Sequence, residues 1–385
     1  MPRLVPARTH VLRWVLPAAF AVVFAFPPGI LAQNGSALPP QGTAINPDYT
    51  RREIQPDLNV DRDPVPSPDV ESNAPLLPPK PGSTISKSKN NVYTLQENVN
   101  EVILNCTVVD DQGRLVKGLS QRDFQVWEDG VPQTIASFRN EDVPVSMGIL
   151  VDNSGSMRDK RAAADGAALD LVRLSNPQDN AFIVNFNQNA YLDQGFTSNI
   201  SDLEAGLSHY DATGTTAIYD AVAASADELS KYARWPKQVL LIITDGDDNA
   251  SRLTLQQAVE RVQRLGGPVV YSIGLLYEAE SPQEAARAKT ALETLSNDTG
   301  GLAFFPTSSD QVNAIAAQVA MDIRNQYTIG YHPTRPPSQG GYRTVRVAAR
   351  DRRYGRLQVR TTKGYYPKNI PQMHADETAQ AIQQQ

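Results

Sequence analysis

The chain has 385 residues, with 36 Lys and Arg against 42 Asp and Glu and a formal net charge of −6. That length supports a self-sustaining core, and the mild acidity argues against nucleic-acid or membrane-surface binding as the role of the whole protein. Cys106 is the only cysteine, which excludes an intramolecular disulfide, and its setting in Val102-Ile-Leu-Asn-Cys-Thr-Val-Val109 predicts a small buried strand residue.

In chain order, Arg3, Arg8 and Arg13 precede and enter an apolar stretch of about 13 residues (14–26), followed by Ile30-Leu-Ala32. This pattern predicts a signal peptide over 1–32. A span needs about 20 apolar residues, so the membrane is expected to be touched only through an uncleaved signal. Export without disulfides points to a bacterial envelope: periplasm, cell surface or beyond the cell. Residues 33–90 carry Pro39-Pro40, Pro64-Val-Pro-Ser-Pro68 and Pro78-Pro79 with no apolar period, as expected of a disordered Pro-rich linker that supplies reach.

Residues 91–142 read as a β-rich segment. Strands are predicted over 102–109, 124–128 and 133–138, with Asp129-Gly130 as a hairpin signal. Trp127 and Phe138 are expected in its core. Over 143–325 strands and helices alternate: strands near 145–151, 181–186, 238–244, 269–275 and 302–305, and helices near 158–175, 217–233, 254–265, 283–297 and 309–325. Continuous apolar runs such as Val239-Leu-Leu-Ile-Ile243 suit strands covered on both faces, so the expected class is α/β, a doubly wound, mainly parallel sheet with helices on both sides. Strands return over 326–367, near 327–331, 342–348 and 355–361, and 368–385 is a polar tail. The two β-rich flanks are expected to pack together as one sandwich-like unit, with the α/β part inserted between them.

The chemistry concentrates at expected strand ends. Asp152, Ser154 and Ser156 follow the first strand of the α/β part. Thr213-Gly-Thr-Thr216 precedes the 217–233 helix, and Asp245 opens Thr244-Asp-Gly-Asp-Asp-Asn249 after the strand at 238–244. Ligands of doubly wound sheets bind at the carboxyl ends of strands, so these three loops are placed to converge. They offer only oxygen, which suits a hard divalent cation that takes few protein ligands and keeps several waters. Gly155, Gly214 and Gly246 permit tight turns and close backbone approach.

With those residues in hand, 143–325 resembles a von Willebrand factor type A domain, whose metal-ion-dependent adhesion site is built on Asp-x-Ser-x-Ser, a distant Thr and a distant Asp. The resemblance implies a Rossmann-like fold and metal ligation by Asp152, Ser154, Ser156, Thr216 and Asp245. Ser154, Ser156 and Thr216 would touch the cation directly, and the carboxylates would act largely through water. Thr215 is a secondary candidate, since Gly214-Thr-Thr-Ala has one Thr more than the family's usual Gly-Thr-Ala, and Asp247 is another, since it shares the run 245–249 with Asp245. The implied cation is Mg²⁺ first, with Mn²⁺ or Ca²⁺ as alternatives. The flanks Asp123-Phe-Gln-Val-Trp-Glu-Asp-Gly130 and Gln326-Tyr-Thr-Ile-Gly-Tyr331 resemble a bacterial envelope subfamily of such proteins known largely from Acidobacteria.

The expected function is therefore an exported binding or adhesion module. It would recognise a protein's Asp or Glu carboxylate, or an acidic envelope polymer, through the cation, with no nucleic acid as partner. The alternative is an assembly scaffold using the fold without metal, and a hydrolase comes third. The chain lacks Gly-x-x-x-x-Gly-Lys, His-Glu-x-x-His and Gly-x-Ser-x-Gly, and outside the expected signal it has only His209, His332 and His374. Asp245 to Asn249 starts like a calcium loop but has Ala250 and Gln256 where Gly and Glu belong. Arg343, Arg346, Arg350, Arg352, Arg353, Arg356 and Arg360 are expected on outward strand faces, and Tyr331, Tyr342, Tyr365 and Tyr366 packed within the β-unit.

Overall fold

The computed structural model describes residues 101–279 and 281–367, together with Leu58, 84–87 and 93–96. The expected signal peptide, most of the expected linker and the tail lie outside the described residues. An antiparallel pair, β1 (Thr84–Lys87) with β2 (Tyr93–Gln96), begins inside the stretch read as linker.

Before the α/β part come β3 (Val102–Val109), β4 (Phe124–Glu128), β5 (Val131–Gln133) and β6 (Ile135–Arg139). The α/β part contains β7 (Val145–Asp152), α1 (Arg161–Leu174), β8 (Asn180–Phe186), β9 (Ala190–Thr197), α2 (Ile200–Leu207) and α3 (Ile218–Tyr232). It continues through β10 (Lys237–Thr244), α4 (Leu255–Arg264), β11 (Val269–Gly274), α5 (Pro282–Thr299), β12 (Ala303–Phe304) and α6 (Val312–Arg324). After it come β13 (Tyr327–Tyr331), β14 (Arg343–Ala349), β15 (Gln358–Arg360) and β16 (Gly364–Tyr365).

The central sheet runs β12-β11-β10-β7-β8-β9, parallel except for β9 at one edge. The two-residue period of a strand divides its side chains between two cores. Met147, Ile149 and Val151 of β7 and Leu241 of β10 face α1 and α6, meeting Leu171 and Val319. Leu150 of β7 and Leu240 of β10 face α3, α4 and α5, meeting Val222, Val262 and Leu292. Gly148 lacks a side chain because Phe182 and Leu240 fill its place: a Cβ there would lie 2.5 Å from the Phe182 ring. After β7 the chain winds outward through β8 and β9, then returns to lay β10 on the other side of β7. The carboxyl ends of β7 and β10 therefore flank the point where strand order reverses, the usual place for a crevice in such sheets.

The flanking strands form two four-stranded antiparallel sheets, β15-β3-β13-β6 and β16-β14-β4-β5, each mixing strands from before and after the α/β part. β13 pairs with β3 and β6, and β14 pairs with β4, so the α/β part is an insertion within one β-unit. Leu104, Cys106, Phe124, Val126, Tyr327, Ile329 and Val347 share its core. Burial pushes the Cys106 thiol up to about 12, which makes it an inert packing residue.

Three expectations need correction. Trp127 points away from this core and carries the Arg346 guanidinium 3.6 Å from its ring centroid, because the alternation of β4 turns 127 outward. Arg343 does not face outward: it is fully buried, donates to Glu128 Oε1 at 3.1 Å, and shares Glu128 with the hydroxyls of Tyr331 and Tyr365, each 2.7 Å from Oε2. Tyr342 and Tyr366 leave the β-unit's own core and reach α4. The Tyr342 hydroxyl accepts from Gln263 Nε2 at 3.3 Å, and the Arg264 guanidinium lies 4.0 Å from the Tyr366 ring centroid.

Within the α/β part β9 and α2 were missed in the sequence, and outside it so were the short strands β1, β2, β5 and β16. β9 contains Asp193 and Gln194, whose polarity hides the strand pattern. They are buried nonetheless, and Asp193 Oδ2 accepts from Asn185 Nδ2 at 2.7 Å. α2 spans eight residues and gives too few turns for a helical period to register.

Candidate metal centre

Asp152 is the last residue of β7 and is fully buried. Its Oδ1 accepts from the Ser154 amide at 2.8 Å, and its Oδ2 accepts from the Thr244 hydroxyl at 2.5 Å. Burial raises its pKa from the ordinary 3.8 to about 6 against the pull of these donors, and the charge of Asp245 pushes the same way. The chain then enters a single-turn helix, Gly155–Asp159, which brings the Ser154 and Ser156 hydroxyls 3.2 Å apart.

Ser156 Oγ donates to Asp245 Oδ1 at 2.8 Å, joining the loop after β7 to the loop after β10. The other oxygen of Asp245 is held by Lys160 Nζ at 2.9 Å, and this pair is buried, with side chains 8% and 1% exposed. Lys160 was not singled out in the sequence. It lies one helical turn beyond Ser156, and that spacing is the only signal that could have found it.

Thr216 is buried and its hydroxyl faces Gly246, where an added Cβ would lie 3.5 Å from Thr216 Oγ1. Its backbone is clamped to the third loop: the amide donates to Asn249 Oδ1 at 2.9 Å, and the carbonyl accepts from the amides of Asn249 and Ala250 at 3.0 and 3.1 Å. Thr215 is exposed, and its amide donates to Gln188 Oε1 at 3.3 Å. Of the two threonines, Thr216 is therefore the one set among the loops. Asp247 turns away, since its Oδ2 accepts from Arg287 Nε on α5 at 2.6 Å. Asp248 accepts from the Tyr219 amide at the start of α3 and from the Ser251 hydroxyl. The 245–251 run is thus a brace for α3 and not a separate calcium loop.

Asn153 is a second residue the sequence did not mark. It is buried, and its Oδ1 accepts from the amides of Asp211 and Ala212 at 3.1 Å each, while its carbonyl accepts from the Thr213 amide. It holds the loop that delivers Thr216 through Ala212, whose φ is +46°. His209 directs Nδ1 to Asp193 Oδ1 at 3.1 Å, while Ser154 and Ser156 engage each other and Asp245.

Three hydroxyls and two carboxylates from three loops fit a hard cation with retained water. Among the described residues no group of three or more His, Cys, Asp or Glu is arranged to hold a metal, so the fit depends on the hydroxyls.

An open, mainly parallel sheet covered by helices on both faces, with an oxygen-lined loop cluster at its switch point, defines a doubly wound α/β domain. Residues 147–247 match the family model of the von Willebrand factor type A domain, and the chain carries such a domain. No curated protein matches the chain. Similar solved structures include a von Willebrand factor type A protein from Catenulispora acidiphila, 14% identical over 73% of this chain and 76% of that one, with a TM-score of 0.42. The PilB minor pilin from Streptococcus sanguinis is 12% identical over 63% and 84%, with a TM-score of 0.40. An aerotolerance-related membrane protein from Bacteroides fragilis is 17% identical over 46% and 98%, with a TM-score of 0.38.

Proposed function

We propose that the protein is an exported bacterial envelope module, in the periplasm, on the cell surface or secreted, that binds its partner through a divalent cation, Mg²⁺ before Mn²⁺ or Ca²⁺. Ser154, Ser156 and Thr216 would hold the ion with Asp152 and Asp245 behind them. The observation that carries this reading is the Ser156–Asp245 hydrogen bond, which joins residues 89 apart in sequence into one oxygen cluster with Ser154. When bound, the cation supplies an electrophilic centre for an anionic oxygen, such as a partner's Asp or Glu carboxylate or an acidic polymer. The chain's own residues orient and shield. Asn153, Asn249 and Asp248 fix the three loops in place before any ligand arrives, which lowers the ordering cost of binding. A groove lined by Tyr219, Asp247, Asp248, Leu255 and Arg287 lies beside the loops and offers the partner a rim.

A metal-free scaffold is the second reading, favoured by the Lys160–Asp245 pair, which compensates one carboxylate without an ion. Calorimetric titration of the protein with Mg²⁺ and Mn²⁺, followed by pull-down from envelope extract with and without chelator, separates the two. Ion uptake and ion-dependent capture, both lost in Asp152→Ala, are expected. Capture that persists in excess chelator would leave only the scaffold.

A further inference from the structure

Lys160 is anchored by its backbone at the entrance to α1. Its amide donates to the Met157 carbonyl at 3.0 Å, and its own carbonyl accepts from the amides of Ala163 and Ala164 at 3.1 Å each. From that fixed root the side chain reaches into the loop cluster and places its ammonium on Asp245 Oδ2 at 2.9 Å. Asp245 therefore has one oxygen on a hydroxyl and the other on a full positive charge. The neighbouring cation, Arg161, faces elsewhere: its guanidinium pairs with Asp165 at 2.7 Å and with Asn185 at 2.6 Å, touching Asp152 only through the main-chain carbonyl. Lys160 is thus the charged side chain that meets a proposed ligand carboxylate directly.

We infer that Lys160 is a tethered competitor cation that sets how tightly the centre holds a divalent ion. This inference rests on the ion-binding reading above. The ammonium neutralises Asp245 and keeps that carboxylate in position with no ion present. The same charge repels an incoming cation and leaves Asp152 as the uncompensated negative group. A unit charge a few ångströms from a divalent ion, at the effective dielectric of a protein site, changes the ion's affinity by about tenfold or more. The Tyr277 ring centroid lies 5.5 Å from the same ammonium, so the charge has an aromatic face to rest against if it leaves the carboxylate. The result is a centre tuned to weak, reversible occupancy that responds to the ambient level of divalent cation.

Two variants of the full chain test this by Mn²⁺ titration, read by calorimetry and by the electron paramagnetic resonance of free Mn²⁺. Lys160→Met removes the charge at similar length. Lys160→Gln removes the charge but keeps an N–H donor for Asp245. Both should bind Mn²⁺ at least tenfold more tightly than the wild type, and both should melt lower than the wild type in chelator because Asp245 loses its counter-charge. Affinity equal to or weaker than wild type in Lys160→Gln, with a native circular dichroism spectrum, would overturn the inference and make Lys160 a positioning residue. If wild type and both variants take up no Mn²⁺ at tens of millimolar, the ion-binding reading falls and this inference with it. Uptake by the wild type with no gain in the variants overturns only the role of Lys160.

Discussion

The Thr244 hydroxyl donates to Asp152 Oδ2 at 2.5 Å, tying the last residue of β10 to the last residue of β7 across 92 positions of sequence. Both residues are fully buried, and each ends a central strand where the order of the sheet reverses. The same hydroxyl accepts from the Gly246 amide at 3.2 Å, so one side chain aligns the carboxylate of the first loop with the backbone of the third.

Thr244→Val removes that hydroxyl at nearly constant volume. A buried hydrogen bond to a carboxylate contributes about 1.5–3 kcal/mol, so the unfolding free energy in chelator should fall by a comparable amount, seen as a lower urea midpoint at unchanged slope. An unchanged midpoint would show that the strand-end bond contributes nothing to folding.

Asp152→Asn should stabilise the metal-free protein at neutral pH while abolishing ion uptake. The folded pKa of Asp152 is raised from 3.8 to about 6, so the folded state holds this proton more readily than the unfolded state. The stabilisation from protonation is complete below pH 4 and is lost as pH rises through about 6. Above pH 7 the charged carboxylate therefore costs the wild type up to about 3 kcal/mol, a cost the amide avoids. Melting curves in chelator from pH 4 to 8 should show the advantage of Asp152→Asn growing with pH and vanishing towards pH 4. A difference that stays constant across that range contradicts the assignment.

Glu128→Gln should destabilise the β-unit strongly. Arg343 is fully buried, and removal of its carboxylate leaves a charge without its partner, at about 3–5 kcal/mol. The double variant Glu128→Leu with Arg343→Met should recover part of that loss, since it leaves no buried charge, although the Tyr331 and Tyr365 hydroxyls lose their acceptor. Chemical denaturation of Glu128→Leu, Arg343→Met and their double variant gives the coupling, and simple additivity would argue against a shared network.

Gly148→Ala should cost about 1–3 kcal/mol by overpacking, because the new methyl would meet Phe182 and Leu240 at 2.5 and 2.6 Å. Adding Phe182→Leu in the same chain should return part of the loss. If the single variant melts like the wild type, the close packing of β7 against this face is wrong.

Much of this architecture was readable in the chain before folding. The apolar runs that became β7, β10 and β11 announce doubly covered strands, because any element that buries both faces must be apolar at successive positions. β9 escaped notice for the opposite reason: its Asp193 and Gln194 are buried polar residues, and the partner of Asp193, Asn185, comes from β8. The pairing of β13 with β3 joins segments separated by the whole α/β part, and no local pattern encodes such a partner.

The centre divides in the same way. Period and turn chemistry, which are local properties, put Asp152, Ser154, Ser156, the 213–216 segment and Asp245 at strand and helix ends, and the family resemblance singled out Thr216. Only the tertiary structure decided which side chains face one another. It set Thr216 and not Thr215 among the loops, sent Asp247 to Arg287, and placed Lys160 on Asp245. The physical reason is that a loop side chain takes its direction from hydrogen bonds and charges contributed by distant elements, and those partners exist only once the sheet has assembled.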